Sequence, residues 1–247
     1  MNDAAAAAEP LVPLLDEGRR FSREREVRLA DADLDGRLRL DAIARYLQDV
    51  ANDDARAAIG PKDAAPWVVR KTTIDVFQWP RFQEPIELTT FCGGIGGRWA
   101  ERRTTIKGRD GGHVEAASLW VHIDIDSGRP VPLPPSFLDV FGDGWGSRKV
   151  SGRLSHPAPP ADLPRTRWTL RRTDFDVMGH VNNTAYWAIA EESLALDAPR
   201  RFELEYRLPV EPGHAPDLVV DADAGLTWLV SHDGQVHASA RAIRLAS

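Results

Sequence analysis

Cysteine is nearly absent from the sequence: Cys92 is the only one among 247 residues. A single thiol excludes an internal disulfide bond and a cysteine-based zinc site, and it suits a reducing compartment. No apolar stretch approaches the roughly 20 residues that a helix needs to cross a bilayer. The N-terminal segment also lacks the cationic and apolar regions of a secretory signal. These absences predict a cytoplasmic protein without a membrane span.

An excess of positive charge is also missing. The 31 Lys and Arg residues are outnumbered by 37 Asp and Glu, which gives a formal net charge of −6. This balance argues against nucleic acid or an anionic membrane as a partner. The histidines show no spacing typical of a metal site, and the glycine run at 93–97 neither joins a strand to a helix nor precedes a P-loop lysine. We therefore expect no metal and no nucleotide cofactor.

Hydrophobic patterning divides the chain into a tail, two units and a connector. Residues 1–20 form the predicted N-terminal tail, and a proline-rich connector over 147–167 separates units at 21–146 and 168–247. The first unit contains one long predicted helix, which Asp41 would cap and Gly60 would end, followed by four strand candidates. Strands without interleaved helices indicate an antiparallel sheet, so the predicted fold class is α+β.

The second unit repeats this plan, with a helix predicted just after residue 183 and strands after it. In the strand candidate at 201–208, apolar residues alternate with charged ones, which predicts that the apolar residues face inward. The charged residues predicted to face water are Arg201, Glu203, Glu205 and Arg207.

The two units align in sequence at an offset of 141 positions. Residues 33–35, Asp-Leu-Asp, then match residues 174–176, Asp-Phe-Asp, and the two predicted helices also coincide. At this offset Arg39 takes the place of His180, so the first unit has no equivalent histidine. We interpret the acids of the first unit as structural turn residues and expect one active centre, in the second unit.

The densest polar cluster runs from Asp174 to Asn183, immediately before the second predicted helix. It holds two carboxylates, an imidazole and two amides within ten residues. The start of a helix adds free backbone N–H groups and the positive end of its dipole, which can bind a developing oxyanion. A carboxylate or imidazole beside it can activate water. A single Asp or Asn here would only be a helix cap, but the whole cluster indicates a functional site.

The segment TDFDVMGHVNNTAYW resembles the acyl-acyl-carrier-protein (acyl-ACP) thioesterases. Segments of the first unit, RLRLDAIARYLQDVANDDA, WVVRKTTIDV, TTFCGGIGGRWAERRTTIKG and LWVHIDIDSGRPVPLP, follow in that family's order. The resemblance covers about residues 21–245. It implies a tandem (double) hotdog, in which a long helix in each half is wrapped by an antiparallel sheet. It also implies hydrolysis of fatty acyl-ACP thioesters, which ends chain elongation, without a cofactor.

The resemblance carries over catalytic positions residue by residue. The family's Asp falls on Asp176 and its His on His180, whereas its Asn falls on Met178 and its later Glu on Pro209. Glu211 lies close to that last position. Backbone N–H groups near Val181 and Asn182 are expected to face the oxyanion, and Asn182 or Asn183 to supply the amide missing at Met178. The first unit would shape the acyl pocket.

The expected partner is an acyl carrier protein with a phosphopantetheine-linked acyl chain. Because carrier proteins are acidic, arginines near the site could form a docking surface, although scattered solvated arginines explain them equally well. These arginines are Arg167, Arg171, Arg172, Arg200 and Arg201. The alternatives left open are an acyl-CoA thioesterase, a hotdog dehydratase or hydratase, and a non-catalytic acyl-binding protein. A monomer, in which the two units form a pseudo-dimer, and a homodimer are also both open.

Overall fold

The computed structural model describes residues 10–14, 18–60, 67–124, 126–142 and 148–245. Ten strands form one sheet in the order β1-β3-β4-β5-β2-β7-β10-β9-β8-β6, and every paired strand is antiparallel to its neighbour. Within these described ranges three α-helices lie against it, so the α+β class is confirmed. The elements before residue 148 are β1 (Arg20–Glu26), α1 (Leu40–Ile59), β2 (Trp67–Gln78), β3 (Pro85–Ile95), β4 (Trp99–Gly108), β5 (His113–His122) and α2 (Pro135–Phe141). The later elements are β6 (Arg165–Arg167), α3 (Tyr186–Ser193), β7 (Arg200–Tyr206), β8 (Asp217–Asp221), β9 (Leu226–Val230) and β10 (Val236–Arg244).

Helix α1 forms where the apolar periodicity predicts it. Its buried stripe repeats every three or four residues and faces the sheet. The helix ends at Gly60, which has a φ of 90°, a backbone conformation that glycine adopts more readily than residues with a side chain. The Gly60 N–H donates to the Arg56 carbonyl at 3.1 Å. The predicted cap at Asp41 is wrong, because Arg39 holds that position and Asp41 lies in the first turn, paired with Arg39 and Arg45.

Strands β2 and β7 join the two halves at the centre of the sheet. They pair from Lys71 opposite Glu205 to Val76 opposite Arg200. Across this seam the Arg201 guanidinium binds both carboxylate oxygens of Asp75, at 2.6 and 2.7 Å, and both side chains are buried. The prediction that Arg201 faces water is therefore wrong: its charge is balanced by a carboxylate from the other half.

Residues 148–164, named the strap below, cover the outer face of β7. The backbone N–H groups of Ser155 and His156 donate to the Glu205 carboxylate, at 2.6 and 3.2 Å, and Glu205 is fully buried. The Trp228 indole N–H donates to the Pro157 carbonyl at 2.8 Å. The alternation predicted for this strand is right for Phe202 and Leu204, which are buried, but wrong for Leu208, which is 42% exposed. The expected solvent exposure of Glu205 is also wrong, because the strap covers it and bonds to its carboxylate.

The two halves repeat at an offset of 143 positions, and the predicted offset of 141 is wrong. In the first half the Asp33 N–H donates to the Arg37 carbonyl, and in the second the Asp176 N–H donates to the His180 carbonyl. The same correspondence relates the isolated bridges Ala32–Leu38 and Phe175–Val181. It makes Arg37, not Arg39, the counterpart of His180, and it confirms that the first half has no histidine there.

Candidate active site

A tight turn over residues 176–180 forms the centre of the site. The Asp176 N–H donates to the His180 carbonyl at 3.0 Å, and the Gly179 N–H donates to the Asp176 carbonyl at 3.1 Å. Gly179 has a φ of 78°, a conformation that glycine adopts without the penalty of a side chain. The local sequence therefore places Asp176 and His180 at the two ends of one closed turn, just before α3.

The Asp176 carboxylate is held in place by two hydrogen bonds. Oδ1 accepts the Met178 N–H at 2.9 Å, and Oδ2 accepts the Asn182 side-chain amide at 3.1 Å. Asp176 is partly buried and lines a cleft of about 360 Å³. A carboxylate fixed in this way at the wall of a cleft can position and deprotonate a water molecule.

The two asparagines after the turn have different surroundings. The Asn182 side-chain oxygen accepts the N–H and the hydroxyl of Thr184, at 2.9 and 2.8 Å, so this oxygen and one of the two amide N–H donors fix the turn and Asp176. Asn183 also lines the cleft, and in the described part of the chain neither its side-chain amide nor its N–H is hydrogen-bonded. Asn183 thus has both its backbone and its side-chain donors open to a ligand.

The N–H groups at 181 and 182 already have acceptors. The Val181 N–H donates to the Val210 carbonyl and the Asn182 N–H to the Asp174 carbonyl, both at 2.8 Å. Neither can face an oxyanion in this geometry, contrary to the expectation from the sequence. Met178, at the family's Asn position, is 65% exposed and is not part of the cleft wall.

His180 lies at the surface beside Glu211. Its Nε2 is 3.7 Å from Glu211 Oε1, and the two side chains are 45% and 56% exposed. The structure thus brings together His180 and the glutamate that follows Pro209, although the sequence left the direction of Glu211 open. His180 is not among the residues that line the cleft.

The cleft runs along one face of α1 and is lined mainly by apolar side chains. From Gln48 to Ile59 the helix rises about 16 Å, and Asp176 lies with Asn182 and Asn183 among the lining residues. Trp67, Phe137 and Phe141 form an aromatic cluster, with ring centroids 5.2 and 4.9 Å apart in succession. The remaining lining residues are Ala51, Asn52, Ala55, Cys92, Ala100, Glu101, Arg102 and Trp120.

Helix α2 and Gln48 were not identified by the sequence analysis. The segment PSFLDVF begins with a proline at the first helical position, which is a signal for a helix start. Its two phenylalanines are buried against Cys92, Ile95 and Ala100. Cys92, predicted to be a packed residue, is buried in this wall, and burial raises the pKa of its thiol.

The predicted basic docking arginines are mostly engaged in ion pairs. Arg167 binds Asp217, Arg171 binds Asp174, and Arg200 binds Asp197. Arg201 is buried against Asp75, as described above. Among the residues that the structure describes, no group of three His, Cys, Asp or Glu side chains is arranged to hold a metal ion. In the same part of the chain, no helix is both long and apolar enough to cross a membrane.

The corresponding turn of the first half is closed by an ion pair. The Arg37 Nε donates to Asp33 Oδ2 at 2.9 Å, and the Asp35 and Arg37 N–H groups donate to Oδ1. Burial opposes ionisation of Asp33, but the hydrogen bonds and charge of Arg37 outweigh it and lower its pKa. In the second half the Asp176 carboxylate is instead bonded to the Met178 N–H and the Asn182 amide and lines the cleft.

Glu191 of α3 reaches across to the start of α1. Its Oε2 accepts the Leu40 N–H at 2.6 Å. Burial raises the pKa of Glu191 to about 7, against the lowering effect of the Leu40 N–H. The folded protein therefore prefers the protonated acid. The stability that this preference provides is fully present below about pH 4.5, the ordinary value, and is lost as the pH rises through 7.

We expect Glu191→Gln to flatten the pH dependence of stability. Between pH 5 and pH 8 the native protein should lose on the order of 2 kcal/mol more of its free energy of unfolding than the variant does. Urea unfolding of both proteins at the two pH values measures this difference. Equal losses in the two proteins would show that Glu191 titrates normally in the folded state.

A ten-stranded antiparallel sheet, a helix-lined apolar cleft and a fixed carboxylate fit an enzyme that acts on a ligand with a long apolar part. Comparisons with known proteins define the class further. Residues 18–141 match the acyl-ACP thioesterase N-terminal domain, and residues 159–241 match the acyl-ACP thioesterase C-terminal domain. The chain belongs to the acyl-ACP thioesterase family. It is therefore a thioester hydrolase, and its substrates are fatty acyl-ACPs.

Individual relatives and solved structures are also similar to this chain. An uncharacterized protein of Mycobacterium tuberculosis is 34% identical over 192 residues, which cover 75% of this chain and 77% of the relative. The oleoyl-acyl carrier protein thioesterase of Coriandrum sativum is 23% identical over 93% of this chain and 71% of its own. An acyl-ACP thioesterase structure from Bacteroides thetaiotaomicron superposes with a TM-score of 0.77 at 18% identity, over 91% of this chain and 97% of its own. The 12:0-ACP thioesterase of Umbellularia californica gives a TM-score of 0.73 at 19% identity, over 92% and 97%.

Proposed function

We propose that the chain ends fatty acid chain elongation by hydrolysing acyl-ACP at the cleft beside Asp176, within a tandem hotdog fold. The observation that carries the proposal is the Asp176 carboxylate, held by two hydrogen bonds at the wall of a cleft of about 360 Å³. Clefts of this size hold small organic ligands. The apolar face of α1 and the aromatic cluster would receive the acyl chain, and Asp176 would lie beside the thioester.

Asp176 acts as the general base in this proposal. Its carboxylate takes a proton from a water molecule as the water oxygen bonds to the thioester carbonyl carbon. The negative charge that develops on the carbonyl oxygen is stabilised by the free N–H of Asn183. The carbon–sulfur bond then breaks, which releases the fatty acid, and the departing thiolate takes up a proton.

His180 and Glu211 are proposed to deliver that proton. Their contact of 3.7 Å at the surface supports a pair in which the carboxylate orients the imidazole that transfers the proton. The pair lies at the end of the turn opposite Asp176, where the phosphopantetheine thiol would leave towards solvent. Asn182 takes a positioning role, since its side chain holds both Asp176 and Thr184. A single chain provides all of these groups, which is compatible with a monomer as well as a homodimer.

One assay set tests the proposed function. The purified protein is offered acyl-ACP, acyl-CoA and enoyl-CoA of matched chain length, and thiol release and hydration are both followed. We expect thiol release with acyl-ACP at a higher kcat/KM than with acyl-CoA, and no hydration. Hydration of enoyl-CoA, or acyl binding without any thiol release, would refute hydrolysis at this site.

The length of the cleft gives a prediction about substrate range. Ala55 lines the cleft on α1, two turns after Gln48. Ala55→Trp should fill part of it, and the ratio of kcat/KM for long over short acyl chains should fall about tenfold, the loss of roughly 1.4 kcal/mol of chain binding. Ala57→Trp, at an exposed position of the same helix, is the matched control. An unchanged ratio in Ala55→Trp would place the acyl chain elsewhere.

A further inference from the structure

Gln48 is a polar side chain in the wall of the cleft that no role described so far uses. It comes from α1, in the first half, and lines the same cleft as Asp176, Asn182 and Asn183. It also borders the small cavity around Asn183, Thr184 and Trp187. The residue is partly buried, and within the described ranges its amide has no hydrogen-bond partner.

The internal repeat provides a reference for this position. At the offset of 143, Gln48 corresponds to Glu191 and Asn183 corresponds to Leu40. These two counterparts, one from each half, are bonded directly, since the Glu191 carboxyl accepts the Leu40 N–H at 2.6 Å. At the other site the corresponding N–H of Asn183 has no acceptor among the described residues, and Asn183 and Gln48 line the same cleft. The Leu40–Glu191 contact therefore shows where an oxygen lies when it accepts this N–H.

Gln48 has an amide where its counterpart Glu191 has a carboxyl group, and this difference changes what the two side chains can bind. A carboxylate beside the Asn183 N–H would occupy that donor, and its charge would repel a developing oxyanion at close range. The Gln48 amide is neutral and offers N–H donors of its own. An acceptor placed between the two residues would therefore receive two hydrogen bonds.

We propose that Gln48 is a catalytic residue: its side-chain amide donates to the thioester carbonyl oxygen alongside the Asn183 N–H. This inference rests on the proposed hydrolysis at Asp176. It assigns the first half a direct part in the chemistry as well as in shaping the acyl pocket. It also supplies a side-chain amide in a site where Met178 has none and where the Asn182 amide is held by Asp176 and Thr184.

The test compares Gln48→Glu, Gln48→Ala and Gln48→Met with the native protein on one acyl-ACP substrate. Gln48→Glu should lower kcat about 100-fold or more, the effect of losing one oxyanion donor, with KM changed less than threefold. Gln48→Met keeps the length of the side chain without its amide and should lower kcat similarly. Glu191→Gln, the matched change in the other half, should keep the native kcat.

A pH series separates this role from a structural one. Because a protonated carboxyl group can donate a hydrogen bond, the ratio of native to Gln48→Glu kcat should fall as the pH is lowered from 8 to 6. Thermal unfolding checks that each variant is folded. Native kcat in Gln48→Met and Gln48→Ala, or a loss confined to KM, would overturn the role of Gln48 and leave hydrolysis at Asp176 standing. An inactive native protein would instead refute the proposed function itself.

Discussion

Replacing Asp176 with Asn should lower kcat for acyl-ACP hydrolysis at least 1,000-fold, within the range of roughly 100- to 10,000-fold that a positioned general base contributes. The amide keeps the size of the side chain, and its oxygen can still accept the Met178 N–H. It cannot take a proton from water at neutral pH. Steady-state kinetics with acyl-ACP measure kcat, and KM should change little because the acyl chain binds elsewhere in the cleft.

The internal repeat provides a matched control for this variant. Asp33 closes the equivalent turn in the first half, with the same backbone hydrogen bonds around it. Asp33→Asn should weaken the ion pair with Arg37 and lower stability, but it should keep the native kcat per folded molecule. If Asp176→Asn hydrolysed acyl-ACP at the native rate, Asp176 would have no part in the reaction. A loss of activity in both variants would indicate that the substitutions disturb the fold and do not act on the reaction itself.

Replacing Arg201 with Ala should lower the free energy of unfolding by about 3–5 kcal/mol, the cost of removing one partner from a buried ion pair. Arg201 binds both oxygens of Asp75 across the seam between β2 and β7, and Asp75 would be left buried without its guanidinium. Denaturant unfolding measures the loss. Since this seam joins the two halves, the number of unfolding transitions in the variant should also show whether the halves unfold together.

An exposed ion pair of the same half is the control. Arg244 binds Asp197 at 2.7 Å, and the two side chains are 76% and 49% exposed. Arg244→Ala should cost less than about 1 kcal/mol, as exposed pairs do. A loss below that value in Arg201→Ala would mean that the seam relaxes to bring water to Asp75, and that the pair does not hold the halves together.

Local signals in the sequence were sufficient for α1 and for the turn at Asp176. The apolar spacing of α1 follows from the contact it makes with the sheet, and Gly60 marks its end. The polar cluster before α3 was visible because its members are adjacent in the chain. In both cases the residues that carry the sequence signal lie only a few positions apart in the chain.

The repeat offset could not be found from residue identity alone. The first half contains Asp31-Ala32-Asp33-Leu34-Asp35, so an Asp-x-Asp pattern occurs there twice, two positions apart. Both alignments match equally well on those acids. The backbone hydrogen bonds and the bridge at Ala32 show that Asp31 and Asp33 are the matching pair. Those contacts are visible only in the three-dimensional structure.

Long-range contacts account for the other differences. The alternating pattern of β7 predicts that its charged face is exposed to solvent. In the structure the strap covers Glu205 and donates two backbone N–H groups to its carboxylate. The closeness of Gln48 to Asn183 depends on how α1 and the segment before α3 meet, across more than a hundred residues. Neither contact leaves a pattern in the neighbouring sequence.

The neutralised turn of the first half has a consequence for how this enzyme can diversify. Asp33 is bound to Arg37, so its carboxylate is engaged in holding the turn and is not available to bind water or substrate. Most of the cleft wall, including the later turns of α1 and the two phenylalanines of α2, belongs to the same copy. In the proposed mechanism, substitutions that alter which acids are produced therefore fall largely on the first copy, whereas the general base Asp176 belongs to the second. Of the residues proposed to take part in the reaction, only Gln48 shares a copy with that wall.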